Sequence, residues 1–307
     1  LKVNIEGKEV KLPDFLIVGA ARSGTTTLYE CLKQHPRIFM PDLKEPNFFA
    51  FSGKPTYFKG PKTEIIWDIN EYLRLFEPAT EGQLLGEAST VYLNHYEKTI
   101  INIKRHIPGW KEIKIIIILR NPVERAFSFY LYHKLLNAEP LEFEDAIEPK
   151  VIDERIKNNW NPGYDYIGFG LYYKQTKAYL DTFPHVKVCL FEDLKMDAVG
   201  LMRDIFRFLE VEDSFIPSVR VYNPSGIFKS KLFQRFLNTP GLVSRFFPLI
   251  KLIPLDKRIE IVEAIKYKVL KKPEMKEETK QYLKNLYRDD ILKLQELIGR
   301  DLSHWLK

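Results

Sequence analysis

Phe15-Leu16-Ile17-Val18 runs directly into Gly19-Ala20-Ala21-Arg22-Ser23-Gly24-Thr25-Thr26-Thr27-Leu28. An apolar run followed by a stretch dense in glycine and hydroxyls reads as a buried strand emptying into a phosphate-binding turn at the start of a helix. Gly19 and Gly24 have the spacing of G-x-x-x-x-G-K-[ST], in which successive backbone N–H groups and a helix N-terminus surround an anion. Thr25 stands where that motif places its Lys. The cradle is kept and the reader of the β- and γ-phosphates is lost, which disfavours a P-loop kinase. Arg22 and the hydroxyls of Ser23, Thr25, Thr26 and Thr27 suit a shorter anion. A ligand-free Gly/Thr turn is the plain alternative, and a second site is needed to displace it.

That second site is Ile115-Ile116-Ile117-Ile118-Leu119-Arg120-Asn121-Pro122-Val123-Glu124-Arg125-Ala126-Phe127-Ser128. The isoleucine run predicts a strand buried on both faces of a parallel sheet. Asn121 is then the N-cap, Pro122 the first helical residue, and Glu124 the closing residue of a capping box. Ser128 lies seven residues past the cap, close to two turns at 3.6 residues per turn, and so returns to the side on which Arg120 leaves the strand. A guanidinium and a hydroxyl converging on one spot make a receptor for a phosphate monoester.

Both stretches resemble the sulfotransferases that use 3′-phosphoadenosine 5′-phosphosulfate (PAPS). Their 5′-phosphosulfate loop, roughly [KR]-x-G-T-T, is matched by Arg22-Ser23-Gly24-Thr25-Thr26, and their 3′-phosphate pair, an Arg and a Ser eight residues on, by Arg120 and Ser128. Three further segments extend the resemblance. Lys44-Glu45-Pro46-Asn47-Phe48-Phe49 is similar to the acidic segment of the heparan-sulfate type, Asn223 to Lys231 to the late basic loop over the nucleotide, and Gly299 to Leu306 to the family ending. The resemblance implies PAPS as co-substrate, 3′,5′-bisphosphate (PAP) as product, and no metal. It also implies one sulfotransferase domain over residues 1–307.

With 307 residues and 45% hydrophobic content, the chain is large enough for one α/β core. The net charge of +6 is spread among 41 acidic residues, which argues against nucleic-acid binding and suits capture of an anionic nucleotide. No apolar stretch is long enough to span a bilayer and no signal segment opens the chain. Cys31 and Cys189, in apolar surroundings, read as buried free thiols in a reducing, cytoplasmic compartment. Further strands are expected at Gln83–Ser89 and Val186–Phe191. Helices are expected near Thr26–Gln34, Val123–Leu136, Tyr172–Phe183 and Ala198–Leu209, with a last one through Leu283, Leu286, Ile291, Leu294 and Leu297 ended by Gly299. The fold class is α/β, P-loop-like and three-layered, its central, mainly parallel sheet flanked by helices and its ligands at the carboxyl ends of the strands.

The implied reaction is in-line transfer of a sulfuryl group to an acceptor hydroxyl. Glu45 is the first choice of base by the resemblance, with Glu87 and His95 in reserve; the frequent family His two positions on is Asn47 here. Arg22 replaces the usual Lys and would stabilise the sulfuryl oxygens and the leaving phosphate. Lys44 adds charge, and Lys229 or Lys231 would bind the donor. A non-catalytic nucleotide-binding module is the remaining alternative. Carbohydrate, lipid, small metabolite and carrier-tethered acyl chain are all open as acceptors. The apolar, proline-broken segment Leu242 to Leu255 is either core or a wall of the acceptor pocket that favours a hydrocarbon portion.

Overall fold

The computed structural model describes residues 2–5, 8–61, 63–220, 226–228, 270–271 and 273–307. A hairpin of β1 (Lys2–Ile5) and β2 (Lys8–Lys11) leads to β3 (Phe15–Gly19), α1 (Thr25–Lys33), β4 (Ile38–Phe39), α2 (Phe48–Phe51) and α3 (Ile69–Arg74). Next come β5 (Leu84–Ala88), α4 (Val91–Asn94), α5 (Tyr96–His106), β6 (Lys114–Leu119), α6 (Pro122–Leu135), α7 (Phe143–Ala146) and α8 (Pro149–Lys157). The rest comprises α9 (Tyr172–Thr182), β7 (Val186–Leu190), α10 (Phe191–Met196), α11 (Ala198–Leu209), the paired β8 (Ile227–Phe228) and β9 (Leu270–Lys271), and α12 (Glu277–Ile298).

Five strands form one all-parallel sheet in the order β4-β5-β3-β6-β7. Every residue of β3 is buried, as is all of β6 after Lys114. The two-residue period of a strand divides them between two cores. Leu16, Val18, Ile115, Ile117 and Leu119 pack with residues of α4, α5, α6, α9 and α12. Phe15, Ile17, Ile116 and Ile118 pack with Leu28 and Leu32 of α1 and Met202, Ile205 and Phe206 of α11. Burial on both faces is why these strands are continuous apolar runs, and it yields the expected three-layer α/β architecture.

The expected strands and helices form within a residue or so of their expected ends, and Gly299 stops α12 in the left-handed region at φ +63°. Phe191 opens α10 instead of closing β7. The β1–β2 hairpin, the two-residue β4 and the helices α2 to α5, α7, α8 and α10 were not foreseen, because most of these pieces are too short to carry periodicity and the longer α5 and α8 are mostly polar. Cys31 and Cys189 are buried free thiols, and burial pushes them up to about 11 and about 12. The segments Asn223 to Lys231, apart from Gly226 to Phe228, and Leu242 to Leu255 lie outside the described residues, and Lys229 and Lys231 with them. Among the described residues no helix is long and apolar enough to cross a membrane.

From β3 the chain moves outward to β4, returns to β5 beside β3, and crosses to β6 on the other side. The sheet therefore switches direction between β3 and β6, where a ligand crevice is expected at the carboxyl ends. The two turns expected from the sequence to bind anions occupy those two ends.

Candidate active site

The β3–α1 turn depends on two left-handed residues, Arg22 at φ +66° and Gly24 at φ +98°. Gly24 caps α1, and a Cβ there would lie 2.7 Å from Leu194 Cδ2 and 3.1 Å from Phe191 Cδ2, so only glycine lets α10 close on the loop. The loop is tied to β6 by the Ala20 N–H, which donates to the Ile118 carbonyl at 2.8 Å. Ala21, Arg22, Gly24, Thr25, Thr26 and Thr27 line a cavity of about 1040 Å³. Ser23 does not line it. Its side chain is fully buried beneath the turn and its N–H donates to the Ala20 carbonyl.

Asn121 caps α6 as expected, its Oδ1 accepting from Val123 N–H at 3.0 Å and Glu124 N–H at 3.4 Å, with Pro122 in the first turn. Glu124 does not close a capping box. Its Oε2 instead accepts from Arg120 Nη2 at 2.8 Å, since the guanidinium is within one helical turn and outcompetes a neutral N–H for a carboxylate. Arg120 also donates through Nη1 to the Arg22 carbonyl at 3.2 Å and lies 4.8 Å over the Phe191 ring. Its Nε is buried with no partner among the described residues. Arg22 Nε donates to Ser128 Oγ at 3.2 Å, and its guanidinium lies 4.9 Å from the Tyr132 ring centre. Arg22, Arg120 and Ser128 are thus one hydrogen-bonded cluster on the cavity wall. Burial lowers Arg22 to about 10, Tyr132 and Glu45 act against that shift and Arg120 adds to it, so Arg22 is a cation at neutral pH.

Glu45 lines the same cavity from the segment after β4. Its N–H donates to the Ala88 carbonyl at 2.9 Å, and its Oε1 accepts from Lys44 Nζ at 2.6 Å and Thr90 Oγ1 at 3.3 Å. Glu45 at φ +64° and Asn47 at φ +59° both hold the left-handed region, a backbone cost typical of functional loops. Asn47 is buried and acts within the loop. Its Nδ2 donates to the Glu45 and Glu64 carbonyls at 2.6 and 3.0 Å, stitching the loop together.

Neither reserve base is among the residues that line the cavity. Glu87 is buried, accepting from Ser89 Oγ at 2.5 Å, Tyr92 Oη at 2.8 Å and Tyr72 Oη at 3.2 Å. Ser89 Oγ and Tyr92 Oη in turn accept from the N–H groups of Asn47 and Phe49 at 3.0 and 3.1 Å. Glu87 therefore supports the loop that carries Glu45, and burial raises it to about 7 against the pull of its three hydroxyl donors. His95 packs 5.4 Å from the ring of Phe51, and burial lowers it to about 4, so it is neutral at pH 7.

The rest of the wall was missed in the sequence. Phe129, Tyr132, His133 and Leu136 line it from α6, and Lys195 and Arg220 join the nucleotide-loop side. The signal was present for the first group, because these residues continue the face of Ser128 at helical spacing. His133 Nδ1 donates to Tyr166 Oη at 2.8 Å, which itself donates to Glu139 Oε2 at 2.9 Å. Arg155 grips Glu139 with two bonds of 2.8 Å. Burial, then the two nearby arginines, lowers His133 to about 3, so it is neutral.

The family model for the sulfotransferase domain matches residues 12–221. A solved structure described as a sulfotransferase from Alicyclobacillus acidocaldarius is 32% identical, with a TM-score of 0.73 over 97% of this chain and 100% of that one. The membrane-associated sulfotransferase kil1 of Dictyostelium discoideum is 34% identical over 51% of this chain and 32% of its own. Human heparan sulfate glucosamine 3-O-sulfotransferase 3B1 is 26% identical over 95% of this chain and 65% of its own. The chain thus spans about one third to two thirds of the length of these curated relatives.

Proposed function

The chain belongs to the sulfotransferase family, and from that premise we propose that it moves a sulfuryl group from PAPS to an acceptor hydroxyl by in-line transfer, releasing PAP. The observation that carries this reading is the meeting of both anion-binding turns and Glu45 on one cavity. The residues present fit the donor. Gly24 leaves the α1 N-terminus without a side-chain cap at the cavity, Arg22 is a half-buried cation on its wall, and Arg120 has a buried Nε without a partner among the described residues.

In this reading the N–H groups at the start of α1 hold the 5′-phosphate side, and Arg120 with Ser128 holds the 3′-phosphate. Glu45 takes the acceptor proton as the acceptor oxygen bonds to sulfur. The bond from sulfur to the bridging oxygen breaks, and its electron pair leaves on the 5′-phosphate of PAP. Arg22 offsets the charge that grows on the sulfuryl and leaving oxygens. Its high pKa makes it an electrostatic partner and not a proton donor.

The buried thiols of Cys31 and Cys189 support a reducing compartment. The test is turnover: full chain, PAPS and a panel of hydroxyl acceptors, read by mass spectrometry for an added sulfo group and stoichiometric PAP. Binding of PAP without transfer to any acceptor would reduce the protein to a nucleotide-binding module.

A further inference from the structure

Helix α10 has six residues and stands between the phosphate turn and the stretch Gly299 to Leu306 that follows α12. A helix this short is not stable alone, so its neighbours must fix it in place. Phe191, Leu194 and Lys195, at i, i+3 and i+4, share one side and line the cavity. There the Phe191 ring carries the Arg120 guanidinium at 4.8 Å, and Phe191 and Leu194 stand closest to the Cβ position of Gly24. Glu192 and Asp193 turn the other way.

Both acids are held by the stretch after α12. Arg300 grips Asp193 with two bonds, Nη2 to Oδ1 at 2.8 Å and Nη1 to Oδ2 at 3.3 Å, and Asp193 Oδ2 accepts the Leu190 N–H at 3.0 Å where α10 begins. Trp305 is fully buried and donates from Nε1 to Glu192 Oε1 at 3.1 Å. Glu192 Oε2 is buried with no hydrogen-bond partner among the described residues, so the indole donor carries much of the compensation for that carboxylate. The Trp305 carbonyl in turn accepts from Asn121 Nδ2 at 3.3 Å. An amide whose NH2 is engaged by a carbonyl must turn its oxygen away, here toward the Val123 and Glu124 N–H groups that it caps. Trp305 thus touches both elements that flank Arg120: α10, whose Phe191 carries the guanidinium, and the cap of α6, the next residue in the chain.

We propose that Gly299 to Leu306 is a clamp that sets the nucleotide wall from behind, with Arg300 and Trp305 as positioning residues. Neither lines the cavity; both act through α10 and Asn121 on the placement of Phe191 and Arg120. The proposal rests on the donor-binding reading and adds to it the residues that hold the reader of the 3′-phosphate in place. Without Arg300 the Asp193 charge turns to water, and without the indole N–H Glu192 is a carboxylate short of donors. Both are relieved by an outward shift of α10, which draws Phe191 from under Arg120.

Calorimetric titration of the full chain with PAP separates positioning from folding. Loss of position raises Kd at unchanged stoichiometry, whereas mere loss of fold lowers the stoichiometry and leaves the Kd of the folded remainder as it was. Arg300→Ala removes a side chain that is 47% exposed, and Trp305→Phe keeps a ring while removing the donor. Each should weaken PAP by at least ~5-fold with the stoichiometry retained. Arg300→Lys keeps a cation opposite Asp193 without the fork and should fall between Arg300→Ala and the unaltered protein. An unchanged Kd in both Arg300→Ala and Trp305→Phe overturns the proposal, as does a fall in stoichiometry alone. If Trp305→Phe does not fold, Arg300→Ala decides by itself. Failure of the unaltered protein to bind PAP overturns the donor-binding reading and the clamp with it.

Discussion

Replacing Arg120 with alanine separates two roles that the structure gives one side chain. Arg120 reads as the receptor of the 3′-phosphate, yet its Nη1 also donates to the Arg22 carbonyl and so braces the phosphate turn. In the free protein the loss should be modest, the bond to the Arg22 carbonyl contributing about 0.5–1.5 kcal/mol. The Arg120–Glu124 pair has a carboxylate side chain 55% exposed and contributes about 0–1 kcal/mol, and the stacking over Phe191 adds about 0.5–1 kcal/mol. With nucleotide bound, charge-assisted bonds from the guanidinium to a phosphate are worth about 1.5–3 kcal/mol. Subtracting the partial loss of the Glu124 pair leaves about 2 kcal/mol, or roughly 30-fold in affinity. Calorimetry should therefore show Arg120→Ala weakening PAP by about 30-fold and adenosine 5′-monophosphate by about threefold at most. If both nucleotides weaken equally, Arg120 is a brace for the turn and not the reader of the 3′-phosphate. Equal affinity of the unaltered protein for the two nucleotides would remove the 3′-phosphate site altogether.

Glu45→Gln keeps the shape of the loop and removes the base, so single-turnover transfer should fall roughly 10²–10⁴-fold while PAP affinity is unchanged; near-normal transfer would clear Glu45 of the role. Glu87 bears on stability, because its folded pKa of about 7 lies above the ordinary value of 4.5. Between those pH values the unfolded chain loses this proton and the folded one keeps it, so the contribution of Glu87 to stability declines as pH rises from about 4.5 to about 7, then levels off. Denaturant midpoints of Glu87→Gln and the unaltered protein should accordingly diverge across that window, and parallel curves would contradict the burial argument. Gly24→Ala must fit a Cβ at φ +98° against Leu194 and Phe191, and should cost about 1–3 kcal/mol of stability together with measurable PAP affinity; a neutral result in a thermal melt would show that α10 yields easily.

What the amino-acid sequence determined by itself is local chemistry joined to periodicity. Phe15 to Val18 and Ile115 to Leu119 are legible because strands buried on both faces must be apolar throughout, and Asn121-Pro122 and Gly299 are legible because helix ends need a cap and a left-handed stop. The nomination of Arg22, Arg120 and Ser128 followed from those elements and from the family resemblance, and the three do meet on one cavity wall. Tertiary structure alone decided which carboxylate faces the cavity. The family resemblance ranked Glu45 ahead of Glu87 and His95, but nothing local in the sequence tells a cavity-facing acid from one gripped by three hydroxyls. Packing made the difference: Tyr72 and Tyr92, brought in from α3 and α4, bury Glu87 behind the loop that presents Glu45. The same holds for the aromatic lining of the cavity, whose rings come from segments scattered between Phe51 and Phe169 and share a surface only after the chain has crossed from β5 to β6 and laid α6 over the sheet. Strand and helix signals extend over a few residues, whereas the shape and charge of a cavity depend on contacts between residues far apart in the chain.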